Sequence, residues 1–226
     1  NAEWNNPSSV LVGDFIYSRA FQILVQISDM RIMEIIANTT NRIAEGEVLQ
    51  LIEKSNPQTS EENYMKVITN KTAILFQAAA QCGAILSKSD STTEKALQSF
   101  GMQLGLAFQL IDDVLDYSGT ADELGKNVGD DLSEGKSTLP LIYASKNGSP
   151  AQKGVILESL KAQKLTKQML ENVIEIVQDC GGIEYTKTLA ENKADSAANY
   201  LLENLPQSDY RDSLEKMVEF SITRTN

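Results

Sequence analysis

The chain has 226 residues, of which 42% are hydrophobic and 23% are charged, and its formal net charge is −11 at pH 7. These fractions are ordinary for a globular protein, and the negative charge argues against a nucleic-acid partner or an anionic membrane surface. A phosphorylated substrate is still compatible, because a few lysines and a metal ion can reverse the field in one cleft. The sequence has no histidine, which excludes Ser/His/Asp and Cys/His catalysis and histidine zinc sites.

Apolar residues recur at helical spacing along the whole chain, and no segment alternates as a strand would. Capping residues, prolines and glycines divide this pattern into separate helices. The predicted helices cover 10–27, 29–53, 60–86, 91–116, 139–147, 166–180, 182–202 and 207–224, and a further helix begins at 149–150. The sequence therefore predicts an all-α bundle, a fold whose ligand sites form between facing helices.

Two polar pairs fall within the second and third predicted helices. Glu47 and Gln50 share a helix face, which fits a buried polar pair and an exposed one equally. Lys71 and Thr72 lie in mid-helix among small apolar residues. A lone helical lysine usually faces solvent, and binding of an anion is the alternative.

The most informative stretch is 105–116, Gly-Leu-Ala-Phe-Gln-Leu-Ile-Asp-Asp-Val-Leu-Asp. Asp112 and Asp116 lie about 40° apart on one helix face, so both can reach one object. Like charges one turn apart repel each other, and a sequence that keeps them favours a cation there. Carboxylates suit Mg²⁺, whose shell is completed by water and substrate phosphate. A solvated acidic face on an acidic protein is the alternative interpretation.

The same helix carries other polar and small residues. Gln109 precedes Asp112 by three residues and points toward the same cleft. Gly101 and Gly105 lie one turn apart, which indicates either close packing of another helix or passage of substrate near the backbone.

The segment 118–138 is the least regular part of the chain and is rich in glycine, lysine and aspartate. This composition is typical of a functional loop, with a solvated connector as the alternative. Lysines in such a loop can neutralise phosphate charge, and Asp130 and Asp131 could hold waters or orient those lysines.

Cys82 and Cys180 are far apart and lie in helical contexts, which indicates reduced, buried thiols rather than a disulfide framework. No signal peptide is recognisable, and no apolar run approaches the roughly 18 residues that a membrane span needs. We therefore expect a cytoplasmic protein without a membrane span.

With these motifs in this order, the chain resembles the trans-isoprenyl diphosphate synthases over essentially all 226 residues. The segments 9–17 and 44–47 are most similar to bacterial long-chain members of the octaprenyl type, which serve quinone side chains. The resemblance rests on 12–15 (Val-Gly-Asp-Phe), 46–50 (Gly-Glu-Val-Leu-Gln), 71–72 (Lys-Thr), 108–116 (Phe-Gln-Leu-Ile-Asp-Asp-Val-Leu-Asp) and 125–131 (Gly-Lys-Asn-Val-Gly-Asp-Asp).

The resemblance implies an isoprenoid-synthase-type helix bundle with a central cavity. In that family Mg²⁺ ions bind the diphosphate of an allylic substrate, the diphosphate leaves, and the double bond of isopentenyl diphosphate attacks the allylic cation. The implied residues are the metal ligands Asp112, Asp113 and Asp116, the diphosphate-holding residues Lys71, Thr72, Gln109 and Lys126, and the closing-loop residues Asp130, Asp131 and Lys136.

The family also has a first aspartate-rich motif followed by arginines, which this sequence lacks. By the family order it would lie before Asn1, so we expect residues 1–226 to be a single all-α domain, the C-terminal two-thirds of a longer synthase, or else a natural short relative. The resemblance further implies a homodimer. A non-catalytic partner subunit of a prenyl synthase and a class I terpene cyclase are the alternative functions.

Overall fold

The computed structural model describes residues 5–118, 129–162 and 164–224. Within these ranges every regular element is helical and no strand is present, which confirms the all-α prediction. The α-helices are α1 (Asn6–Ile27), α2 (Met30–Glu53), α3 (Glu61–Ile68), α4 (Ile74–Leu86), α5 (Ser91–Ser118), α6 (Asp130–Ser133), α7 (Leu139–Asn147), α8 (Pro150–Lys161), α9 (Lys167–Asp179), α10 (Gly182–Asn204) and α11 (Asp209–Thr223).

Side-chain caps determine where several helices begin. The side chain of Asp29 accepts a hydrogen bond from the backbone of α2, and Ser60 caps α3 in the same way. The carboxylate of Asp90 accepts the amide of Thr93 at 2.8 Å at the start of α5. These side chains satisfy amides that have no partner within their own helix.

The third predicted helix is not a regular α-helix throughout. Thr69–Ala73 forms a π-helical turn between α3 and α4, and the amide of Ile74 bonds to the carbonyl of Thr69, five residues earlier. A π turn adds one residue to the helix and is often found at functional sites. Residues 61–86 therefore form one helical rod whose widened turn contains Lys71 and Thr72.

Helix α5 runs through the centre of the bundle. Its neighbour α10 presents Ala190, Ala194 and Ala197, each at most 1% exposed, and these recur at helical spacing on one face. Small side chains on that face let the two helix backbones come close. Phe100 and Leu104 of α5 fill the space between them.

A second apolar cluster lies beside the end of α5. Tyr117 of α5 packs there with Leu132 of α6 and Leu141 of α7. Val173 and Val177, one turn apart on α9, close the cluster and are fully buried. This packing anchors the segment that follows residue 129 against the aspartate-bearing end of α5.

Helix α1 packs very little against the rest of the described chain, and none of its residues is buried. Phe15 and Ile16 are 69% and 62% exposed. With 22 residues, α1 is long and apolar enough to cross a membrane by length and composition. The expectation that no apolar run approaches that length was therefore wrong, because Asp14 and Arg19 are the only charges in this helix. Core helices of soluble proteins and signal sequences pass the same test, so the finding does not by itself assign a membrane span.

Both cysteines are free thiols. The prediction of a buried thiol is confirmed for Cys82 and wrong for Cys180, which is only partly buried. Cys180 follows the last residue of α9, where the chain turns at the surface. Burial raises the pKa of the Cys82 thiol.

Candidate active site

A cavity of about 200 Å³ opens where α2, the π turn, α5 and the segment after α6 meet. Polar residues form most of its wall, over an apolar base of Val67 and Ile68. The predicted site residues that line it are Lys71, Thr72, Gln109, Asp112, Asp113, Asp131 and Lys136. Residues from separate parts of the sequence thus meet in one cavity, which is a basic requirement for a site.

The π turn brings Lys71 to the cavity wall. Its Nζ donates to Oε1 of Gln50 at 2.7 Å and lies 3.3 Å from Oε1 of Glu47. The Lys71 side chain keeps 32% of its surface exposed, so its ammonium is held by α2 and can still reach a ligand. The shared face of Glu47 and Gln50 therefore points at Lys71.

A chain of hydrogen bonds connects the π turn to α5 and α3. The hydroxyl of Thr72 donates to Oε1 of Gln109 at 2.9 Å, and Nε2 of Gln109 donates to Oδ1 of Asp113 at 2.9 Å. The Tyr64 hydroxyl donates to the other oxygen of Asp113 at 2.5 Å. The amide of Gln109 is thereby fixed in one orientation, because Thr72 needs its oxygen and Asp113 needs its nitrogen.

The three aspartates of the α5 motif have different environments. Asp112 keeps 36% of its side chain exposed and faces the cavity. Asp113 is 2% exposed, and burial raises the pKa of its carboxyl to about 7, against the opposing effect of the Tyr64 hydrogen bond. Asp116 is fully buried, and its Oδ2 accepts the amide of Asp131 at 3.2 Å. Asp116 does not line the cavity, so its role as a metal ligand stays a prediction.

The opposite wall comes from the segment after α6. Nζ of Lys136 lies 2.8 Å from Oδ1 of Asp131 and 2.8 Å from Oε2 of Glu134. Burial lowers the pKa of Lys136, but the hydrogen bonds to these two carboxylates outweigh it and raise the pKa above its ordinary value. Asp130 begins α6 and does not line the cavity. Lys126 lies outside the described residues.

Two residues at the site were not found from the sequence. Tyr64 lies one helix turn into α3 and bonds Asp113. Nη2 of Arg224 donates to the carbonyl of Phe108 at 2.9 Å and lies 3.7 Å from Oδ1 of Asp112, with the guanidinium 3.8 Å above the Phe108 ring. Burial lowers the pKa of Arg224. No local sequence pattern distinguishes either residue.

The donor set fits a hard metal ion that is shared with a substrate. Among the described residues, no three carboxylate or thiolate side chains surround one point closely enough to hold a metal alone. Mg²⁺ is commonly bound by one or two carboxylates, with water and substrate phosphate completing its shell. Asp112 at the cavity wall, with lysines nearby, matches that arrangement.

Solved structures identify this all-helical bundle as the isoprenoid-synthase fold. A polyprenyl synthase from Caulobacter crescentus CB15, solved with calcium and isoprenyl diphosphate, matches with a TM-score of 0.94 at 39% identity, covering 100% of this chain and 68% of that one. A decaprenyl diphosphate synthase from Rhodobacter capsulatus gives 0.90 at 38% identity, covering 99% and 68%.

The chain belongs to the polyprenyl synthetase family, whose profile matches residues 1–177. The octaprenyl diphosphate synthase of Escherichia coli (strain K12) is 47% identical over 224 residues, which are 99% of this chain and 69% of that protein. Heptaprenyl diphosphate synthase component 2 of Bacillus subtilis (strain 168) is 33% identical over 219 residues, 97% of this chain and 62% of that protein. The resemblance read from the motifs is confirmed.

Proposed function

We propose that this chain acts as a trans-polyprenyl diphosphate synthase of the octaprenyl type. The reaction joins an allylic diphosphate, such as farnesyl diphosphate, to isopentenyl diphosphate. The bond between the allylic carbon and the diphosphate oxygen breaks, a new carbon–carbon bond forms to isopentenyl diphosphate, and a proton leaves the new unit. Repetition lengthens the chain.

The observation that carries this proposal is the meeting of Lys71, Gln109 and Asp112 in one cavity. The Lys71 ammonium binds the allylic diphosphate and stabilises the charge that develops as it leaves. Gln109, whose amide nitrogen also donates to Asp113, lines the same cavity, and we assign it to the same diphosphate. Lys136, held by Asp131, covers the site from the opposite wall, and we assign Lys126 to the same diphosphate.

The metal assignment is part of the proposal. Asp112 is the Mg²⁺ ligand at the cavity wall, and Asp113 and Asp116 support it from the same helix. When bound, Mg²⁺ supplies positive charge that makes the diphosphate a better leaving group. No histidine is needed, because metal and lysine charge carry the ionisation step.

We further propose that the protein is a cytoplasmic homodimer in which each chain forms one all-α domain. The support is the apolar surface of α1, where Phe15, Ile16 and Val25 are more than half exposed. A contiguous apolar surface of this kind usually marks an interaction site. In a homodimer, α1 of one chain would pack against the same surface of α1 in the second chain.

The test is synthesis of product from farnesyl diphosphate and labelled isopentenyl diphosphate with Mg²⁺. We expect a long-chain product whose alcohol, released by phosphatase, has the mass of octaprenol. Chelation of the metal by EDTA and the substitution Asp112→Asn should each abolish it, while Asp179→Asn, at an exposed position outside the cavity wall, should not. A folded chain that forms no product with all substrates present would contradict the proposal for this chain alone.

A partner subunit is the second candidate, favoured by the similarity to a protein named as one component of a heptaprenyl diphosphate synthase. If the chain is inactive alone, it should be mixed with the Escherichia coli octaprenyl diphosphate synthase. A change in product length on mixing would support the partner-subunit function, and an unchanged product distribution would reject it.

A further inference from the structure

The two helices that hold Lys71 and Thr72 carry the same short pattern, Gly-x-x-x-Gln. On α2 it is Gly46 followed by Gln50, and on α5 it is Gly105 followed by Gln109. Residues four apart lie on one helix face, so each glycine lies one turn from its glutamine. Gln50 accepts from Lys71, and Gln109 accepts from Thr72.

Each glycine also touches the π turn directly. A Cβ placed on Gly46 would lie 2.8 Å from the amide nitrogen of Lys71 and 3.0 Å from the Cβ of Asn70. A Cβ on Gly105 would lie 2.6 Å from the Cα of Ala73. Distances below 3.0 Å to backbone atoms cannot be relieved by moving the end of a side chain. The π turn is therefore held between two helix backbones at a separation that only glycine permits.

This separation determines whether the glutamines reach their partners. The bonds from Lys71 to Gln50 and from Thr72 to Gln109 measure 2.7 Å and 2.9 Å. Hydrogen bonds between heavy atoms are effectively lost at about 3.6 Å. A displacement of either helix by one methyl group would therefore break the bond one turn away.

We propose that Gly46 and Gly105 are positioning residues that hold the π turn so that Lys71 and Thr72 present a diphosphate site. Each acts with its own glutamine as a Gly-x-x-x-Gln clamp, one on α2 and one on α5. The inference rests on the proposed function for the identity of the anion. The geometry of the two clamps comes from the contacts alone.

The chain supplies a matched control on α5. Gly101 lies one turn before Gly105, and a Cβ there would overlap the carbonyl oxygen of Phe76 and lie 2.8 Å from the Cα of Gln77. Gly101→Ala therefore forces α5 away from the same helical rod at a point two turns from Gln109 instead of one. Gly83 is a second control, because a Cβ there meets nothing within 4 Å.

The experiment measures binding of inorganic pyrophosphate with Mg²⁺ by titration calorimetry, together with steady-state kinetics, well below each variant's melting temperature. We expect Gly46→Ala and Gly105→Ala to weaken pyrophosphate binding at least tenfold. Gly101→Ala should lower the melting temperature at least as much as the Gly46 and Gly105 variants do. Its affinity for pyrophosphate should nevertheless stay within threefold of that of the parent chain. Gly83→Ala should leave binding unchanged and should raise the melting temperature slightly, because alanine favours a helix interior more than glycine does.

A double-mutant cycle separates positioning from general damage. If Gly46 acts through Gln50, Gly46→Ala combined with Gln50→Leu should cost no more binding than the worse single variant, since coupled sites are not additive. Equal loss in Gly101→Ala, parent-like binding in both clamp variants, or additive losses would each overturn the proposal. If the glycine variants do not fold, Gln50→Leu and Gln109→Leu test the proposal in their place. Unchanged pyrophosphate binding in both glutamine variants would also overturn the proposal.

Failure of the proposed function is visible separately. A parent chain that binds Mg²⁺ and pyrophosphate but makes no prenyl product would reject the synthase function for this chain. That result would not contradict the proposal that Gly46 and Gly105 position the π turn. A parent chain that binds no pyrophosphate would reject both.

Discussion

Three neighbouring aspartates on α5 show how strongly position on a helix changes the character of one residue type. Asp112 faces the cavity, Asp113 is buried beneath it with Tyr64, and Asp116 is enclosed and bonded to the backbone of Asp131. Asp112 is the most exposed of the three, whereas Asp113 also lines the cavity but already accepts hydrogen bonds from Tyr64 and Gln109. Asp113 and Asp116 fix the elements around Asp112, α3 through Tyr64 and α6 through the Asp131 amide.

Lys71→Met tests the charge at the cavity wall. Removing one group that stabilises developing negative charge commonly costs about 10²–10³-fold in rate, and we expect a loss of that size in kcat/KM for the allylic diphosphate. Steady-state kinetics measure it. The control is Lys66→Met on the same rod, where the lysine pairs only with exposed Glu62. A Lys71→Met variant within threefold of the parent would contradict the assignment.

Tyr64→Phe tests the buried hydrogen bond to Asp113. The variant leaves a buried carboxyl without its hydroxyl donor, which typically costs about 1–3 kcal/mol in free energy of unfolding. Urea denaturation measures this loss. Tyr210→Phe is the matched control, because Tyr210 is 85% exposed and should lose almost nothing. Equal stability of the two variants would show that the Asp113 bond contributes little.

The site could be predicted from the sequence in part, because Lys71, Gln109, Asp112 and Lys136 lie in short motifs with charge in unusual places. Arg224 could not be found this way. It reaches Phe108 through the fold of the whole chain, and no local pattern reports such a contact.

At the scale of elements, most helices could be placed within a few residues, because caps, prolines and glycines mark their ends. The π turn could not. One extra residue hardly changes the apolar pattern of a helix over a short window, whereas the contacts that favour it come from α2 and α5.

A polar network joins the first turns of α2 and α5 to the second half of α4. Both oxygens of Glu94 accept from Arg31, at 2.8 and 2.7 Å, and Oε1 also accepts from Gln81 at 3.0 Å. The hydrogen bond from Gln81 and then the one from Arg31 hold the pKa of Glu94 below its ordinary value. The network therefore stabilises the fold only while Glu94 is ionised.

Glu94→Gln should reveal this as a dependence on pH. Because the folded-state pKa lies below the unfolded value of 4.5, the stabilisation is present above that pH and is lost as pH falls through the folded-state pKa. We expect the variant to be less stable than the parent at pH 7 and the difference to vanish in stronger acid. Urea denaturation across that range measures it, with exposed Glu219→Gln as the control. A difference that stays constant with pH would reject the explanation.

At the scale of the whole molecule, the fold class followed from helical periodicity throughout and from the absence of any alternating segment. The exposure of α1 could not be predicted in the same way. An apolar helical stripe shows that a helix will be covered, but not whether the same chain or another one covers it.

Phe15→Glu combined with Ile16→Glu tests the proposed homodimer. Two carboxylates on a surface that would otherwise pack against its copy should change a dimer into a monomer, because like charges would face each other across the symmetry axis. Light scattering after size exclusion measures the mass. Phe220→Glu on α11, where Phe220 is 63% exposed, is the control and should stay dimeric. A parent chain that is already monomeric at micromolar concentration would contradict the proposal.

The π turn at Thr69–Ala73 also has a consequence for gene-level comparison and engineering. The extra residue is accommodated within the turn itself, so removing one residue here would convert the π turn into regular α-helix and leave α3 and α4 in nearly the same register. The widened turn that positions Lys71 and Thr72 would be lost instead, so an in-frame deletion of a single codon here should reduce activity more than it reduces stability. Any relative with a regular α-helix in this place would align with this chain only across a one-residue gap.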